Sequence, residues 1–368
     1  MKNNEQFAEF QKNIGLDDQL RDAFKREHEQ LSEWLHADAK IEKFLVGSFL
    51  QGSYKRSTAI RPIGDKRPDV DLIAVTTFDK NKVTAPRALD VFLPFVETHY
   101  GRPETRGHSW RVVRNGVEID LVITAAPGER DDSLILKAAL DGSESLEHPD
   151  FQRRYARLAA SLQKAQSKTN GAWKFKPLDI PDRTYQVWEA THPLAQIQWT
   201  QDKNARCNQN YLAVVKGLKW WRTNTWADPK RPKGYPLEHL IGRFCPDGIT
   251  SVAEGISSTL NRIVSGCQAI YHERKIPLLP DHGVDQNVWK HVSGVEFGHF
   301  YERAMTAANL AQAAFKSDDV DESLGLWREL LGGAFTVVPP ATSNGQPRGS
   351  GGFSPRKEPS NPRDQRFA

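Results

Sequence analysis

Three aspartates lie where their carboxylate oxygens could hold divalent metal ions. Asp69 and Asp71 open the apolar segment from Leu72 to Val75, and Asp120 lies inside a second apolar run, VEIDLVIT. Side chains at i and i+2 of a strand point to the same face, about 6–7 Å apart along it. Hard oxygen ligands of this kind suit Mg²⁺ or Mn²⁺ rather than zinc. Carboxylates on neighbouring strands therefore predict two Mg²⁺ ions, for which Mn²⁺ can substitute.

Two Gly-Ser pairs precede these aspartates, and the first of them could hold phosphate groups. The first is Gly47-Ser48, after a short apolar run, and the second is Gly52-Ser53. Glycine lets a backbone approach a phosphate closely, and serine donates both its hydroxyl and its N–H. We predict that a short strand from Lys43 to Val46 delivers Gly47 and Ser48 to a triphosphate, and that a helix over 49–57 aims its positive N-terminus there. The sequence contains no GxxxxGK[ST], which excludes a Walker A loop.

The elements that would position these residues are strands in the first half of the chain and helices in the second. Residues 17–36 have the apolar spacing of a long amphipathic helix. Strands are predicted over Val70–Thr76, Ser109–Val113 and Val117–Thr124, and an Asn-Gly dipeptide predicts a hairpin between the last two. Further helices are predicted from Pro86 and over Phe151–Gln166, His192–Arg206, Asn208–Thr223, Leu237–Phe244, Ile249–His272, Phe297–Phe315 and Val320–Leu331.

The composition fits a soluble protein of more than one domain: 368 residues, 38% hydrophobic and 26% charged. No apolar run approaches the ~20 residues of a membrane span. The three separated cysteines form no CxxC pair and favour a reducing compartment. We therefore expect a cytoplasmic protein without a membrane partner. The net charge of +4 permits anionic ligands but does not indicate a surface that coats nucleic acid.

The order of these motifs resembles the polymerase-beta-like nucleotidyltransferases, which have a Gly-Ser turn, then Asp-x-Asp on a strand, then a third strand aspartate. In the second half, GLKWWR (217–222) resembles the Lys-x-Trp helix of oligoadenylate synthetases, and GYPLEHLI (234–241) resembles their Tyr-x-Leu-Glu motif. Over residues 15–330 the chain looks like the cGAS/DncV-like nucleotidyltransferases (CD-NTases), and specifically a bacterial member of the CBASS anti-phage type.

The resemblance implies an α+β fold with two lobes and the active site in the cleft between them. A nucleotidyltransferase core with a mixed sheet flanked by helices, including the N-terminal long helix, would occupy residues 1–147. An all-helical lobe like that of oligoadenylate synthetases would occupy residues 148–332. Residues 333–368 would be a disordered C-terminal tail, because Pro, Gly, Ser and charge dominate there.

The resemblance also implies a role for each motif residue. Lys219 shares one helix face with Lys216 and Arg222, opposite an apolar face, although a solvated surface explains the latter two equally well. Tyr235 could instead be an ordinary core or rim aromatic. The implied roles are the donor triphosphate for Gly47 and Ser48, two Mg²⁺ for Asp69, Asp71 and Asp120, the β/γ-phosphates for Lys219, and the donor base for Tyr235. Gln51, Ser53, Lys55 and Lys216 are predicted to line the nucleotide pocket, with a surface position as the alternative for each.

The implied activity is synthesis of a cyclic di- or trinucleotide second messenger from nucleoside triphosphates such as ATP and GTP. Pyrophosphate would leave at each step, and the product would act on a downstream effector of anti-phage defence. The alternatives are a linear nucleotidyltransferase acting on RNA or protein, and a nucleotide-binding scaffold without turnover. The sequence has no His-Cys-Cys-Cys zinc thumb and no basic stripe with interleaved aromatics, so a DNA or RNA activator is not implied.

The C-terminus suggests one further partner. In the family that this chain resembles, members encoded beside E1/E2-like ancillary proteins have a flexible C-terminus that is conjugated through its last residue. The polar tail ending Arg366-Phe367-Ala368 resembles such a substrate. A dispensable end is the alternative.

Overall fold

The structure is a computed structural model, and it describes residues 1–125, 177–225 and 232–336. The helix predicted over 151–166, nearly all of the tail and its terminal Ala368 lie outside the described residues. None of the described helices combines the length and the apolar character that crossing a membrane requires.

Seven strands among the described residues form one mixed sheet: β1 (Leu45–Gln51), β2 (Asp69–Thr76), β3 (Glu104–Thr105), β4 (Ser109–Arg114), β5 (Val117–Ala125), β6 (Leu178–Asp182) and β7 (Val187–Thr191). Their order is β1-β2-β5-β4-β3, with β6 paired to the end of β5 and β7 paired to β6. β2 and β5 run parallel, and the other neighbours are antiparallel. The predicted mixed sheet is therefore confirmed.

The described helices are α1 (Asn4–Ile14), α2 (Asp18–Ala37), α3 (Gly52–Lys55), α4 (Ala85–Tyr100), α5 (Pro193–Arg206), α6 (Tyr211–Thr225), α7 (Gly234–Phe244), α8 (Val252–His272), α9 (Gly294–Lys316) and α10 (Val320–Leu331). Local signals fix several of their ends. The Asp17 side chain accepts from the backbone N–H of Leu20 at the start of α2, and Ser293 with Glu296 forms a capping box at the start of α9. The helix predictions that fall on described residues are confirmed to within a few residues, apart from the one over 49–57.

The hairpin between β4 and β5 follows its sequence signal. Asn115 and Gly116 both have positive φ, 49° and 79°, which a tight two-residue hairpin turn needs. Along β5 the odd-numbered side chains from Val117 to Ile123 are buried, while Glu118 and Asp120 are partly exposed. This alternation holds Asp120 on the face of the sheet away from the core.

The segment from 45 to 57 differs from its prediction. β1 continues through Gly47 and Ser48 to Gln51, and a single helical turn, α3, follows it. The predicted strand end at Val46 and the predicted helix over 49–57 are wrong. From Gly47 to Gln51 every residue of β1 is buried, so both faces are covered, and the sequence lacks the alternation that marks a half-exposed strand.

Four elements had no sequence prediction: α1, β3, β6 and β7. α1 lies in the polar N-terminal stretch, but its Phe7, Phe10 and Ile14 are buried against helices of the second lobe. β6 and β7 lie in the stretch that follows Pro177, for which the sequence predicted no strand. Pro181 sits within β6, which pairs with β5 through only one residue pair, so a missing N–H there removes little pairing.

Two hydrophobic clusters underlie the two lobes. One packs α2 and α4 against the sheet through residues such as Leu31, Leu72 and Phe92. The other joins α1 to the helices of the second half through residues such as Phe10 and Trp289. The N-terminal helix thus packs with the helical lobe although it precedes the sheet. The exact boundaries near residues 148 and 333 fall on or beside undescribed residues and stay predictions.

Candidate active site

A row of four polar residues crosses the sheet at one end. Gln51 of β1 pairs in register with Asp71 of β2, Asp71 with Asp120 of β5, and Asp120 with Arg111 of β4. Register partners on adjacent strands point to the same face, and Asp69 shares that face because it lies two residues before Asp71. The parallel pairing of β2 with β5 therefore brings together the three carboxylates that the sequence singled out.

A cleft of about 810 Å³ lies over this end of the sheet. That volume is within the range of roughly 300–1,000 Å³ typical of small-molecule sites. The sheet side contributes Asp69 and Asp71, and the helical lobe contributes Lys219 and Tyr235. Groups for metal, phosphate and base binding thus face one space.

Gly52 is packed directly against one of the carboxylates. Its φ is +75°, and a Cβ at this position would lie 1.9 Å from Oδ2 of Asp71. No other residue type fits without displacing that carboxylate. The backbone at the start of α3 is thereby held in contact with Asp71, and Ser53 next to it lines the cleft.

The first Gly-Ser pair lies elsewhere. Gly47 and Ser48 are inside β1, where they pair with Val75 and Ala74 at the far part of β2. Neither is among the described residues that line the cleft. The Ser48 hydroxyl is buried without a hydrogen-bond partner. The structure therefore does not bring the predicted phosphate pair to the aspartates; it brings Gly52 and Ser53 instead.

Of the remaining predicted pocket residues, some line the cleft and others do not. Gln51 lines the cleft beside Ser53. Lys55 is completely buried, and neither it nor Lys216 is among the described lining residues. Only part of the predicted set, therefore, lines the cleft.

Lys219 is held by a buried carboxylate. Its ammonium lies 2.7 Å from Oε1 of Glu238 and donates to the carbonyl oxygen of Thr58 at 2.8 Å. The guanidinium of Arg56 lies 3.2 Å from the other oxygen of Glu238. Burial alone would raise the pKa of Glu238, but Lys219 and Arg56 together hold it below its ordinary value. One carboxylate thus fixes two cations, one from each lobe, at the wall of the cleft.

Tyr235 is also fixed on several sides. Its hydroxyl donates to Oδ1 of Asp281, whose other oxygen accepts from the side-chain amide of Gln196 at 3.3 Å. The guanidinium of Arg56 lies 4.9 Å from the centre of the Tyr235 ring. Burial and the nearby Asp281 carboxylate raise the pKa of Tyr235. The ring is neutral and held in place, as a stacking platform for a base requires.

The carboxylates repel one another in the metal-free chain. Burial, Asp69 and Asp120 raise the pKa of Asp71 to about 7, against the opposing effect of Arg56 and Arg111. A site that retains a proton on a carboxylate near neutral pH has an excess of negative charge that a divalent cation would relieve. The hard oxygen donors and this charge excess fit Mg²⁺ or Mn²⁺.

A second group of potential metal ligands lies along the same cleft. His108, Asp182 and Glu189 place ligand atoms within 4.8 Å of one another. His108 Nε2, however, lies 3.5 Å from Asp182 Oδ2, and Glu189 is paired with Lys290. Lys290 compensates the charge of Glu189, and Asp182 already accepts hydrogen bonds from the backbone N–H groups of Thr184 and Tyr185. The aspartates of β2 and β5 are therefore the stronger candidates for a magnesium site.

Four residues around the cleft were not singled out as site residues by the sequence: Gly52, Arg56, Arg111 and Glu238. Gly52 was visible as part of the second Gly-Ser pair, and Glu238 as the last position of the Tyr-x-Leu-Glu motif. No local signal in the sequence distinguishes Arg56 or Arg111 from the other lysines and arginines of the chain. Their roles depend on partners that are distant along the chain.

Comparison with known proteins gives a consistent family. Residues 1–124 match the Second Messenger Oligonucleotide or Dinucleotide Synthetase (SMODS) domain. The cyclic AMP-AMP-GMP synthase of Enterobacter hormaechei subsp. hoffmannii is 39% identical over 381 residues, which cover 99% of each chain. The cyclic AMP-AMP-AMP synthase of an Acinetobacter strain is 29% identical over 84% of this chain and 78% of that protein.

Solved structures agree at the level of the fold. The CD-NTase CdnG of Bradyrhizobium diazoefficiens, in complex with GTP, superposes with a TM-score of 0.66. The match covers 90% of this chain and 96% of CdnG at 12% sequence identity. The two-lobed architecture with a cleft is therefore shared with these proteins.

Proposed function

The chain belongs to the CD-NTases, the second-messenger oligonucleotide synthases of bacterial defence, and we propose that its product is a cyclic trinucleotide of two adenosine and one guanosine nucleotides. Membership makes it a nucleotidyltransferase and a cyclic oligonucleotide synthase. The base composition is inferred from the relative that is 39% identical over nearly the whole chain and is named a cyclic AMP-AMP-GMP synthase. The relative at 29% identity is named for three AMP units. The presence of a guanosine nucleotide in the product is therefore the part of the proposal that most needs testing.

The observation that carries the site assignment is the register between β2 and β5. Asp71 lies opposite Asp120, Asp69 shares their face, and Gly52 closes against Asp71 from α3. We assign Asp69, Asp71 and Asp120 as the ligands of two Mg²⁺ ions, for which Mn²⁺ can substitute. Bound metal ions of this kind lower the pKa of an attacking hydroxyl and neutralise a leaving pyrophosphate.

The other cleft residues would bind and orient the substrates. Gly52 and Ser53 replace the predicted Gly47 and Ser48 as the groups that approach the donor triphosphate, because of the two Gly-Ser pairs only this one adjoins Asp71. Lys219 would contact the β- and γ-phosphates, and Tyr235 would stack on the donor base. In each step a ribose hydroxyl oxygen bonds to the α-phosphorus, the bond from that phosphorus to the bridging α–β oxygen breaks, and the hydroxyl proton is released. Positioning of the hydroxyl against the α-phosphate and neutralisation of the phosphate charge then account for most of the rate acceleration.

The test is product analysis with carboxylate variants. The wild-type protein, incubated with all four NTPs and Mg²⁺, should yield a phosphatase-resistant product with the mass of a cyclic nucleotide of two AMP and one GMP units. Asp69→Asn with Asp71→Asn should abolish it, whereas Asp79→Asn, in a turn outside the cleft, should not. A phosphatase-sensitive product would indicate linear nucleotide addition. Binding of ATP and GTP without any product would indicate a scaffold.

Two further properties of the family members that this chain resembles extend the proposal. We infer a cytoplasmic enzyme whose product acts on a separate effector. The polar C-terminal sequence supports an E1/E2-like ancillary partner that conjugates Ala368. Co-expression with such a partner should give a covalent adduct that deletion of Ala368 removes. Unmodified protein in both cases would leave the C-terminus as a dispensable end.

A further inference from the structure

Arg111 forms a bidentate contact with the carboxylate of Asp120. Its Nε donates to Oδ1 of Asp120 at 3.0 Å, and its Nη2 donates to Oδ2. The two residues are register partners on β4 and β5, so their side chains lie side by side on the sheet. The hydroxyl of Ser109 also donates to Oδ1 of Asp120, at 3.1 Å.

This contact competes with metal binding at Asp120. A carboxylate offers roughly four lone-pair positions, and Arg111 and Ser109 occupy three of them. Asp69 and Asp71 line the cleft, but Asp120 does not, and its side chain is only 13% exposed. In the metal-free protein the third ligand is therefore turned towards an arginine rather than towards the substrate space.

The guanidinium is itself anchored. Its Nη1 donates to Oε2 of Glu118 at 2.7 Å, so Glu118 and Asp120, two residues apart on β5, hold the planar group between them. Arginine supports this arrangement because its fork matches a carboxylate with two parallel hydrogen bonds, which a lysine ammonium does not. If Asp120 loosens its contact, the guanidinium can remain attached to Glu118.

We propose that Arg111 is a positioning residue. In the metal-free protein it binds both carboxylate oxygens of Asp120, and it releases one of these oxygens when the metal ions bind. This inference rests on the proposed role of Asp69, Asp71 and Asp120 as metal ligands. Arg111 fixes the orientation of Asp120 and compensates its charge before loading, and Glu118 retains the displaced guanidinium afterwards. Metal loading is thus an exchange of cations at Asp120.

The test measures metal binding directly, without turnover. Mn²⁺ is titrated into the full-length protein in the absence of nucleotide, and free Mn²⁺ is followed by its electron paramagnetic resonance signal. Arg111→Gln removes the competing cation, so the Mn²⁺ dissociation constant should fall about tenfold. Product formation by the same variant should nevertheless decrease, because Asp120 is no longer oriented.

Arg114→Gln is the matched control. Arg114 lies on the same strand and pairs at 3.7 Å with Glu27, outside the row of aspartates, so its loss should leave the Mn²⁺ affinity unchanged. Asp120→Asn gives the reference for binding that does not involve the third carboxylate. Arg111→Lys, which keeps the charge but loses the fork, should bind Mn²⁺ with intermediate affinity. It is the deciding variant if Arg111→Gln does not fold.

The outcomes are distinguishable. Tighter Mn²⁺ binding by Arg111→Gln, or by Arg111→Lys, supports the exchange. Unchanged or weaker binding overturns it, because Arg111 would then only brace Asp120 as a ligand. If Asp120→Asn binds Mn²⁺ as well as the wild type does, the proposed metal role of Asp120 fails and this inference fails with it, whatever the product assay shows.

Discussion

Lys219 and Glu238 form a buried ion pair across the cleft wall, with 2.7 Å between Nζ and Oε1. Their side chains are only 11% and 7% exposed. Because Arg56 engages the other oxygen of Glu238, this carboxylate joins the turn that carries Gly52 to the helix that carries Lys219. Glu238 is thereby the connection between the groups proposed to bind phosphate.

Replacing Glu238 with glutamine should destabilise the protein and impair catalysis. The substitution keeps the shape but leaves two cations without their counter-charge, and breaking a buried pair in this way costs about 3–5 kcal/mol. Urea unfolding of the metal-free protein measures the change. Glu302→Gln is the control, because its contact with Tyr271 is exposed and should contribute less than about 1 kcal/mol. Equal losses in the two variants would contradict the proposed coupling.

Replacing Gly52 with alanine should abolish product formation. The new Cβ would meet Oδ2 of Asp71 at 1.9 Å and the backbone would be strained at φ +75°. Gly101→Ala separates the two effects, since Gly101 has φ +77° but nothing within 4 Å of the added carbon. That control should lose about 1–3 kcal/mol of unfolding free energy, because φ 77° with ψ −153° is a glycine-only conformation, and it should keep its activity. A fully active Gly52→Ala would show that Asp71 is not held in this position during the reaction.

The two Gly-Ser pairs can be told apart by their serines. Ser53→Ala should raise the KM for the nucleoside triphosphate about tenfold, because a hydrogen bond to a charged group contributes about 1.5–3 kcal/mol. Ser48→Ala should leave KM unchanged and slightly raise the free energy of unfolding, because the Ser48 hydroxyl is buried without a partner. Steady-state kinetics and thermal unfolding measure both. The reverse pattern would restore the original prediction for Ser48.

The stability of the metal-free protein should depend on the ionisation of Asp71. Its pKa is raised to about 7 by burial and by the neighbouring Asp69 and Asp120, so the folded state binds a proton that the unfolded state has already lost. Stability should therefore fall as pH rises from about 4 through 7, by at most about 1.4 kcal/mol per pH unit. Unfolding in EDTA across this range should show the slope in the wild type and not in Asp71→Asn. Added Mg²⁺ should reverse the loss at the upper end.

Some of the fold was readable from local pattern. The alternation in β5, the Asn-Gly hairpin and the apolar periodicity of α2 each depend on residues close in sequence, and each was predicted. α1 escaped prediction because its three buried apolar residues pack against helices from the other end of the chain. β6 was not predicted because Pro181 argues against a strand, unless it is known that β6 pairs with β5 through only one residue pair.

The sequence by itself determined the chemistry. Asp69 and Asp71 at the mouth of an apolar strand, with Asp120 inside another, indicate a site for divalent metal ions, and the order of the motifs resembles that of the nucleotidyltransferases. Only the tertiary structure decided which glycine touches Asp71, which carboxylate holds Lys219, and that Arg111 occupies Asp120. Those relationships depend on cross-strand register and on contacts between distant segments. Hydrophobic spacing and local propensity carry no information about either, because they describe neighbours along the chain rather than neighbours in space.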